Sequence, residues 1–200
     1  MLFPDQIRNR VQNMAIYFVA NTKNVNRMKL NKLFYFADKL AIEWTAFSIS
    51  GQDYFADDFG PVPVSIDLAK NIIPKFSLTT VIRENGDGVF NLVEGKEFID
   101  DEFNDKELKV LANICKKYKN TTGEEMSRIS HAPNEPWDIV WNRQNGGKGK
   151  GKQIPLEALV DDTLRPQEKE RRRLLRESVA KANAAFLKLP GVKARMEGTR

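Results

Sequence analysis

The feature that most constrains the fold is a dense apolar segment that begins at Met28 and ends at Leu68. In its first half, apolar side chains recur every three or four residues, which is the spacing of one buried helix face. These side chains are Leu30, Leu33, Phe34, Ala37, Leu40, Ala41 and Trp44. Two more aromatic residues, Tyr35 and Phe36, lie beside this stripe, so we expect other elements to cover the helix on more than one side. The sequence therefore predicts a helix at the centre of the core.

Further helices are predicted before and after this central helix. Asp5 is a suitable N-cap for an N-terminal helix, and Asn104 or Asp105 can cap a helix in the second half of the chain. Thr122 and Glu125 form a capping box, in which each side chain bonds the backbone N–H of the other residue. Helices are therefore expected to form most of the structure.

Two β-branched segments predict one small hairpin. Ser77–Arg83 and Gly88–Val93 have the composition of strands, and Glu84–Asp87 between them supplies the turn residues. Because a single hairpin does not fold alone, it must pack on the helices as a wing. The predicted fold class is mainly α, with a compact helical domain, this small antiparallel β-hairpin wing and a C-terminal amphipathic helical extension.

Gly60 and Pro61 predict a fixed bend after a short extended piece at Tyr54–Ala56. Glycine accepts backbone conformations that strain other residues, and proline restricts the residue before it. Pro63 can then begin a helix that runs to about Asn71. The first interpretation of the bend is a structural corner. A rigid corner also presents a surface, which makes Gly60 and Pro61 candidates for contact with a partner.

The division into domains follows from glycine content and charge. Residues 145–152 alternate glycine with lysine, which predicts a flexible linker at 145–153 between a domain at 1–144 and an extension at 154–200. The first 144 residues hold 18 Lys and Arg against 20 Asp and Glu, whereas the rest of the chain holds 14 against 7. The net charge of +5 therefore comes from the linker and the extension together and not from the domain.

Two spaced motifs carry a resemblance to a known family. Lys29–Asp38, followed by Phe59-Gly60-Pro61-Val62, resembles the Panacea domain, which is also called the SocA-like antitoxin domain. Thr122–Ser127, Ser130-His131 and Pro136-Trp137 resemble the closing pattern of the same family. The resemblance covers roughly residues 5–142. It implies an antitoxin, or a phage-borne relative, that works by binding protein partners, and it does not imply catalysis. Lys29, Lys32, Tyr35 and His131 match motif positions of that family.

A search for catalytic or metal-binding patterns favours a protein that is not an enzyme. The chain has one histidine, His131, and one cysteine, Cys115, so zinc sites of the usual Cys/His kind are excluded and no internal disulfide is possible. Ser127 and Ser130 lie near His131 without a nucleophile-elbow pattern. We therefore expect no catalytic residue, no metal and no cofactor.

Three aspartates form an acidic cluster just before the glycine-proline bend. Asp53, Asp57 and Asp58 do not have the spacing of a calcium-binding loop, which needs ligands at alternate positions and a distal Glu. A solvated turn or an acidic contact patch for a basic partner is the better interpretation. The three residues are therefore candidates for partner binding.

The extension carries a second set of candidates. Arg172, Arg173 and Arg176 lie in the first half of a long helix that begins at Pro166, and Phe186 belongs to its apolar stripe. Docking on a partner or on the core is favoured over a solvated helix, and nucleic-acid binding comes third because glutamates interrupt the arginines and no aromatic residues alternate with them.

The predicted function is an antitoxin of a toxin–antitoxin system that neutralises a cognate toxin by direct binding. The sequence does not separate simple inhibition from the action of an adaptor that delivers the toxin to a protease. Two alternatives stay open. One is a phage protein that binds a host or defence factor, and the other is a nucleic-acid-binding regulator that acts through the basic extension. No transmembrane helix or signal peptide is predicted, and with one cysteine the expected location is the cytoplasm of a prokaryotic or phage-infected cell.

Overall fold

The central helix lies where the apolar spacing predicts it. In the computed structural model, which describes residues 4–63, 78–162 and 166–188, helix α2 spans Arg27–Thr45. Asn26 is its N-cap and accepts a hydrogen bond from the backbone N–H of Lys29. Helix α2 ends at Ala46, which adopts a left-handed conformation with φ +70° and returns its N–H to the carbonyl of Ile42.

Four of the six other helices that the structure describes pack directly on α2. The six are α1 (Pro4–Asn21), α3 (Asp105–Tyr118), α4 (Gly123–Ser130), the short α5 (Pro136–Asp138), α6 (Leu156–Asp162) and α7 (Pro166–Leu187), with a π-helical turn at Ile139–Arg143. Helix α2 contacts α1, α3, α4 and α6. Phe36 of α2 stacks on Tyr118 of α3 at 5.0 Å between ring centroids, and Phe34 meets Phe18 of α1 edge-on at 5.2 Å. The predicted position of α2 at the centre of the core is confirmed.

Two small antiparallel sheets complete the fold. Strands β1 (Tyr54–Asp57), β2 (Gly60–Pro63) and β5 (Gln153–Ile154) form a sheet in the order β2-β1-β5. Strands β3 (Ile82–Glu84) and β4 (Phe90–Leu92) form the predicted hairpin, which packs on α1. The mainly α fold class with a small β-hairpin is confirmed. No helix among the described residues is long and apolar enough to cross a membrane.

The strands differ from the predicted ones at their beginnings. The chain at Leu78–Thr80 forms a 3-10 turn, closed by a hydrogen bond from Val81 N to Leu78 O, so β3 begins only at Ile82. Pro63 ends β2 and does not begin a helix, because β2 pairs with β1 up to that residue. The rest of the helix predicted to reach Asn71 lies outside the described residues, as does Ser77.

Residues 145–152 are folded against the domain. The N–H of Gly147 bonds the carbonyl of Trp141 at 2.9 Å, and the N–H of Gly151 bonds the carbonyl of Ala56 at 2.7 Å. A β carbon at Gly149 would lie 2.5 Å from the α carbon of Trp141, so the two backbones pass in close contact. The glycines in this segment allow tight turns and close contact between backbones. This differs from the flexible linker that the composition predicts. This path brings the chain back to β1, where β5 pairs.

We expect Gly149→Ala to lower the free energy of unfolding by about 1 to 3 kcal/mol, because the added methyl group collides with the backbone of Trp141. Gly86→Ala is the matched control, since nothing lies within 4 Å of a β carbon there. Its effect should be within about 0.5 kcal/mol. Urea unfolding of both variants measures the difference, and equal midpoints would show that residues 145–152 do not pack as described.

Candidate functional site

The turn between β1 and β2 is the point where both family-like motifs meet. Gly60 has φ +98°, which favours glycine. A β carbon on Gly60 would lie 2.5 Å from Ser130 Oγ, 2.9 Å from Lys32 Nζ and 3.1 Å from His131 Nε2. Both the backbone conformation and the space therefore require glycine. The predicted structural corner lies at this residue.

Three side chains hold the backbone carbonyls of this turn. Lys32 Nζ of α2 donates to the carbonyl of Pro61 at 2.9 Å. The hydroxyl of Ser127 in α4 donates to the carbonyl of Phe59 at 2.7 Å. The indole N–H of Trp137 in α5 donates to the carbonyl of Asp57 at 2.9 Å. The turn is thus fixed by donors from three helices as well as by its own strand pairing.

An aromatic stack supports these donors. The ring of His131 lies 3.8 Å from that of Trp137 between centroids, and Trp137 in turn lies 4.9 Å from Trp141. Stacking and the N–H bond together fix the indole orientation. His131 is also the C-cap of α4, where its N–H bonds the last carbonyls of that helix. Its role in the structure is to join α4 to the aromatic stack.

Burial changes the protonation of the two basic groups beside Gly60. Lys32 is 1% exposed, and burial lowers the pKa of its ammonium to about 7, although Asp57 acts in the opposite direction. Burial, and then the charge of Lys32, lower the pKa of His131 below its usual value. Its Nε2 has no hydrogen-bond partner among the described residues. The groups next to the turn therefore carry less positive charge at neutral pH than their residue types indicate.

The outer side of the turn is exposed and acidic. Phe59 is 63% exposed, although its backbone carbonyl is bound by Ser127. Lys150 forms an ion pair with Asp58 and lies 3.7 Å from Asp57. These charges are exposed, so their pairing adds little to stability. We call Asp57, Asp58 and Phe59 the turn surface.

The structure brings together some of the predicted partner-binding residues. Asp57 and Asp58 lie on the turn surface, whereas Gly60 and Pro61 are buried beneath it. Asp53 precedes β1, away from the turn, and accepts a hydrogen bond from Gln153 at 3.2 Å. Gly60 and Pro61 thus support the turn from its buried side, and the residues accessible to a partner are those of the turn surface. Partner binding by these residues stays a prediction.

The arginines of the extension divide into two groups. Arg172 is 8% exposed, and its guanidinium donates to the carbonyls of Ile42 and Glu43 at the end of α2. Arg176 donates to the carbonyl of Ala46, and both arginines pair with Asp161. They cap α2, where the helix dipole favours positive charge.

The other two residues predicted in the extension face solvent. Arg173 is exposed and pairs with Glu170 and Glu177 of its own helix. Phe186 is 48% exposed. Arg173 and Phe186 are therefore accessible to a partner, whereas Arg172 and Arg176 already bind within the chain.

Sequence reasoning missed the exposure of Phe59 and the role of the buried lysines. Lys29, like Lys32, is 1% exposed, and its Nζ donates to the carbonyls of Lys23 at 2.6 Å and Lys119 at 3.1 Å. The available signal was the placement of two lysines among the apolar residues of α2. A lysine in such a position needs carbonyl or carboxylate partners. The same reasoning would not have identified which carbonyls they bind.

No group of three or more His, Cys, Asp or Glu side chains that could hold a metal ion is found in the part of the chain that the structure describes. Cys115 is buried, and burial raises the pKa of its thiol to about 12. A thiol with so high a pKa is a weak nucleophile.

We expect Gly60→Ala to destabilise the chain by about 3 kcal/mol or more, because the left-handed backbone and the contact with Ser130 both oppose a side chain. Gly51→Ala is the control: its φ of +65° is also left-handed, but nothing lies within 4 Å of the added carbon. It should cost about 1 to 2 kcal/mol. Chemical denaturation compares the two, and an equal loss would show that the contacts around Gly60 contribute nothing.

The titration of Lys32 gives a pH dependence of stability. Its pKa is about 7 in the folded chain and near 10.5 when unfolded, so the unfolded chain binds more protons between these values. The free energy of unfolding should therefore rise from pH 7 to pH 9 relative to Lys32→Met, by up to about 1.4 kcal/mol per pH unit. Lys116→Met, at an exposed position, should keep the wild-type slope. Parallel curves for wild type and Lys32→Met would contradict the assignment.

The residues that meet at this turn lie within a stretch that matches a known family. The sequence matches the family described as antitoxin SocA-like, Panacea domain, over residues 30–138, which is more than half of the chain. The match includes Lys32, Gly60, Ser130 and Trp137, and ends before β5 and α7. Comparison with curated proteins and with solved structures finds no match. The chain belongs to the SocA-like antitoxin family and carries its Panacea domain.

Proposed function

We propose that the chain is a non-enzymatic antitoxin that neutralises a protein toxin by direct binding, with the turn surface as the main contact. Membership of the family supports an antitoxin-type role. The observation that carries the proposal is Phe59, which is 63% exposed on a turn whose backbone is held by Ser127 and Trp137. An exposed aromatic side chain on a fixed backbone has the properties of an interface hot spot.

Fixing the turn before binding favours affinity. Ordering a loop when a complex forms costs free energy, and a turn already held by donors from α2, α4 and α5 avoids most of that cost. The side chain of Phe59 has few rotatable bonds, so little side-chain entropy is lost when it is buried. The turn surface is therefore suited to insertion into an apolar pocket of a partner.

The charges of the turn surface indicate the kind of partner. Asp57 and Asp58 bring two carboxylates next to Phe59, and Lys150 neutralises them only in part. A pocket lined by basic residues would complement this acidic rim and accelerate association. The proposed partner is a toxin with an apolar pocket and a basic border, in the cytoplasm of a prokaryotic cell.

The polar groups beside Gly60 support a binding role over a catalytic one. Ser130 donates its hydroxyl to the carbonyl of Ser127 at 2.7 Å, and Lys32 donates to Pro61. Catalysis by Ser130 would require a base that accepts its proton and an open position for a substrate. Here the backbone of Gly60 occupies the space that these groups face. The cluster holds the turn in place.

The turn surface gives a direct test with a toxin encoded beside the gene. We expect Phe59→Ser, and separately Asp57→Lys with Asp58→Lys, to weaken binding by about tenfold or more, because a hot-spot aromatic contributes about 2 kcal/mol or more. Ile99→Ser is the matched control, since Ile99 is 55% exposed on another part of the molecule. Isothermal titration calorimetry and rescue of cell growth give the two readouts. Unchanged affinity and rescue in both turn variants would exclude the turn surface.

Stoichiometry separates binding from catalysis. If the chain acts by binding, toxin activity should fall in proportion to added chain and reach its minimum at a fixed molar ratio. If much less than one molar equivalent of the chain inactivated all of the toxin over time, the non-enzymatic proposal would be refuted.

A further inference from the structure

Helix α7 is attached to the domain by charged side chains and not by apolar ones. Every apolar side chain of α7 that the structure describes is exposed, and Leu175, Val179 and Phe186 are 43%, 36% and 48% exposed. Among the described side chains of this helix, the buried one is Arg172, which is 8% exposed. A helix of a globular protein usually docks through an apolar stripe. The contact of α7 with the domain is of another kind.

Two arginines and an aspartate form this contact. Arg172 donates to the carbonyl of Glu43 at 2.9 Å and to the carboxylate of Asp161 at 2.8 Å. Arg176 donates to the carbonyl of Ala46 at 3.1 Å and also pairs with Asp161. We call Arg172, Arg176 and Asp161 the α7 anchor. When these groups separate, water supplies new partners for all three, so much of the energy of their hydrogen bonds is recovered.

Helix α6, which precedes α7, is held in the ordinary way. Its Leu156, Leu159 and Val160 are 6%, 7% and 3% exposed and belong to the core. Undocking α6 would bring this apolar surface into water, at a cost in free energy that grows with its area. Undocking α7 would expose little apolar surface. The two helices are therefore expected to separate from the domain at very different costs.

Both α7 and the end of α2 have stabilising bonds that do not depend on their contact. Within α7, Arg173 pairs with Glu170 and Glu177, at spacings of three and four residues that stabilise a lone helix. At the end of α2, the N–H of Ala46 bonds the carbonyl of Ile42. Opening of the α7 anchor would leave both sets of bonds in place.

We propose that α7 is a releasable arm, which leaves the domain when the α7 anchor opens while α2, α6 and the turn surface keep their structure. Release frees two guanidinium groups and uncovers the carbonyls at the end of α2. Because the anchor consists of charged groups, higher ionic strength favours release. The inference does not rest on the proposed function, since the turn surface takes no part and no toxin is needed for the test.

Hydrogen exchange of the full chain, followed by mass spectrometry in low concentrations of urea, tests release. The amides of α7 should exchange faster than those at the centre of α2, because a lone helix in water is marginally stable. Exchange in α7 should hardly depend on urea, since release exposes little surface, whereas exchange in α2 should follow the urea dependence of global unfolding.

A matched pair of double variants tests the anchor. Arg172→Met with Arg176→Met should raise the exchange rate of α7 at least about thirtyfold, because hydrogen bonds to charged groups are strong. Arg171→Met with Arg173→Met removes the same charge from exposed positions of the same helix and should raise it less than about fivefold. In both variants, the centre of α2 should remain protected, which shows that the domain is folded.

Ionic strength gives an independent measurement. Between 0.1 M and 1 M salt the Debye length falls from about 10 Å to about 3 Å. This change should raise the exchange rate of α7 at least about threefold in the wild type, and it should have no such effect in the variant that lacks Arg172 and Arg176.

Three results would overturn the inference. The first is the same exchange rate and urea dependence in α7 and α2, or loss of protection in α2 of the anchor variant, since α7 would then be an integral part of the domain. The second is an equal effect of the two double variants, no effect included. The third is exchange of wild-type α7 that salt does not change.

Discussion

The close contact at Gly60 is the constraint on which the arrangement of the domain depends. Because Gly60 has no side chain, Ser130 of α4 and Lys32 of α2 reach the backbone of the β1–β2 turn directly. That contact joins the sheet to two helices that are distant in sequence. The carbonyls of Phe59 and Pro61 then find donors in the same helices. These contacts on the buried side of the turn fix the backbone that carries its exposed residues.

Buried charges in this chain bind the backbone more than they bind each other. The carboxylate of Asp38 accepts hydrogen bonds from the N–H groups of Ile49 and Ser50, both at 2.8 Å, and from the hydroxyl of Tyr54 at 2.6 Å. Lys29 binds the carbonyls at the ends of two other segments in the same way. Each such charge fixes a loop that has no regular structure of its own. Full satisfaction of a buried charge favours a single arrangement of the chain.

The features predicted from sequence are those that a few neighbouring residues determine. The stripe of α2 and the capping box at Thr122 follow from spacings of three and four residues, and the structure confirms both. The pairing of β5 with β1 was not predicted, because two residues separated by about a hundred positions carry no local signal for each other. The glycines of residues 145–152 show the same limit. Composition does not distinguish a glycine that makes the backbone flexible from one, such as Gly149, that lets two backbones pack in close contact.

The candidate site divides in the same way. Asp57 and Asp58 were predicted as an acidic contact patch and lie on the turn surface, since they are adjacent in sequence. Phe59 is exposed on a backbone whose carbonyl is bound by Ser127, 68 residues later, whereas a phenylalanine in sequence indicates burial by default. The anchoring of Arg172 by Asp161 and the end of α2 likewise depends on tertiary structure.

Two of the three donors that hold the turn, Ser127 and Trp137, are made late. Ser127 follows Phe59 by 68 residues, and Trp137 follows Asp57 by 80. At about 5–20 residues per second, a ribosome takes about 4–16 s to add Trp137 after the turn. During that interval Lys32 is the one donor of the three that the β1–β2 turn has available. Its final shape is therefore a property of the completed domain, and a nascent chain acquires it only after α4 and α5 have left the ribosome.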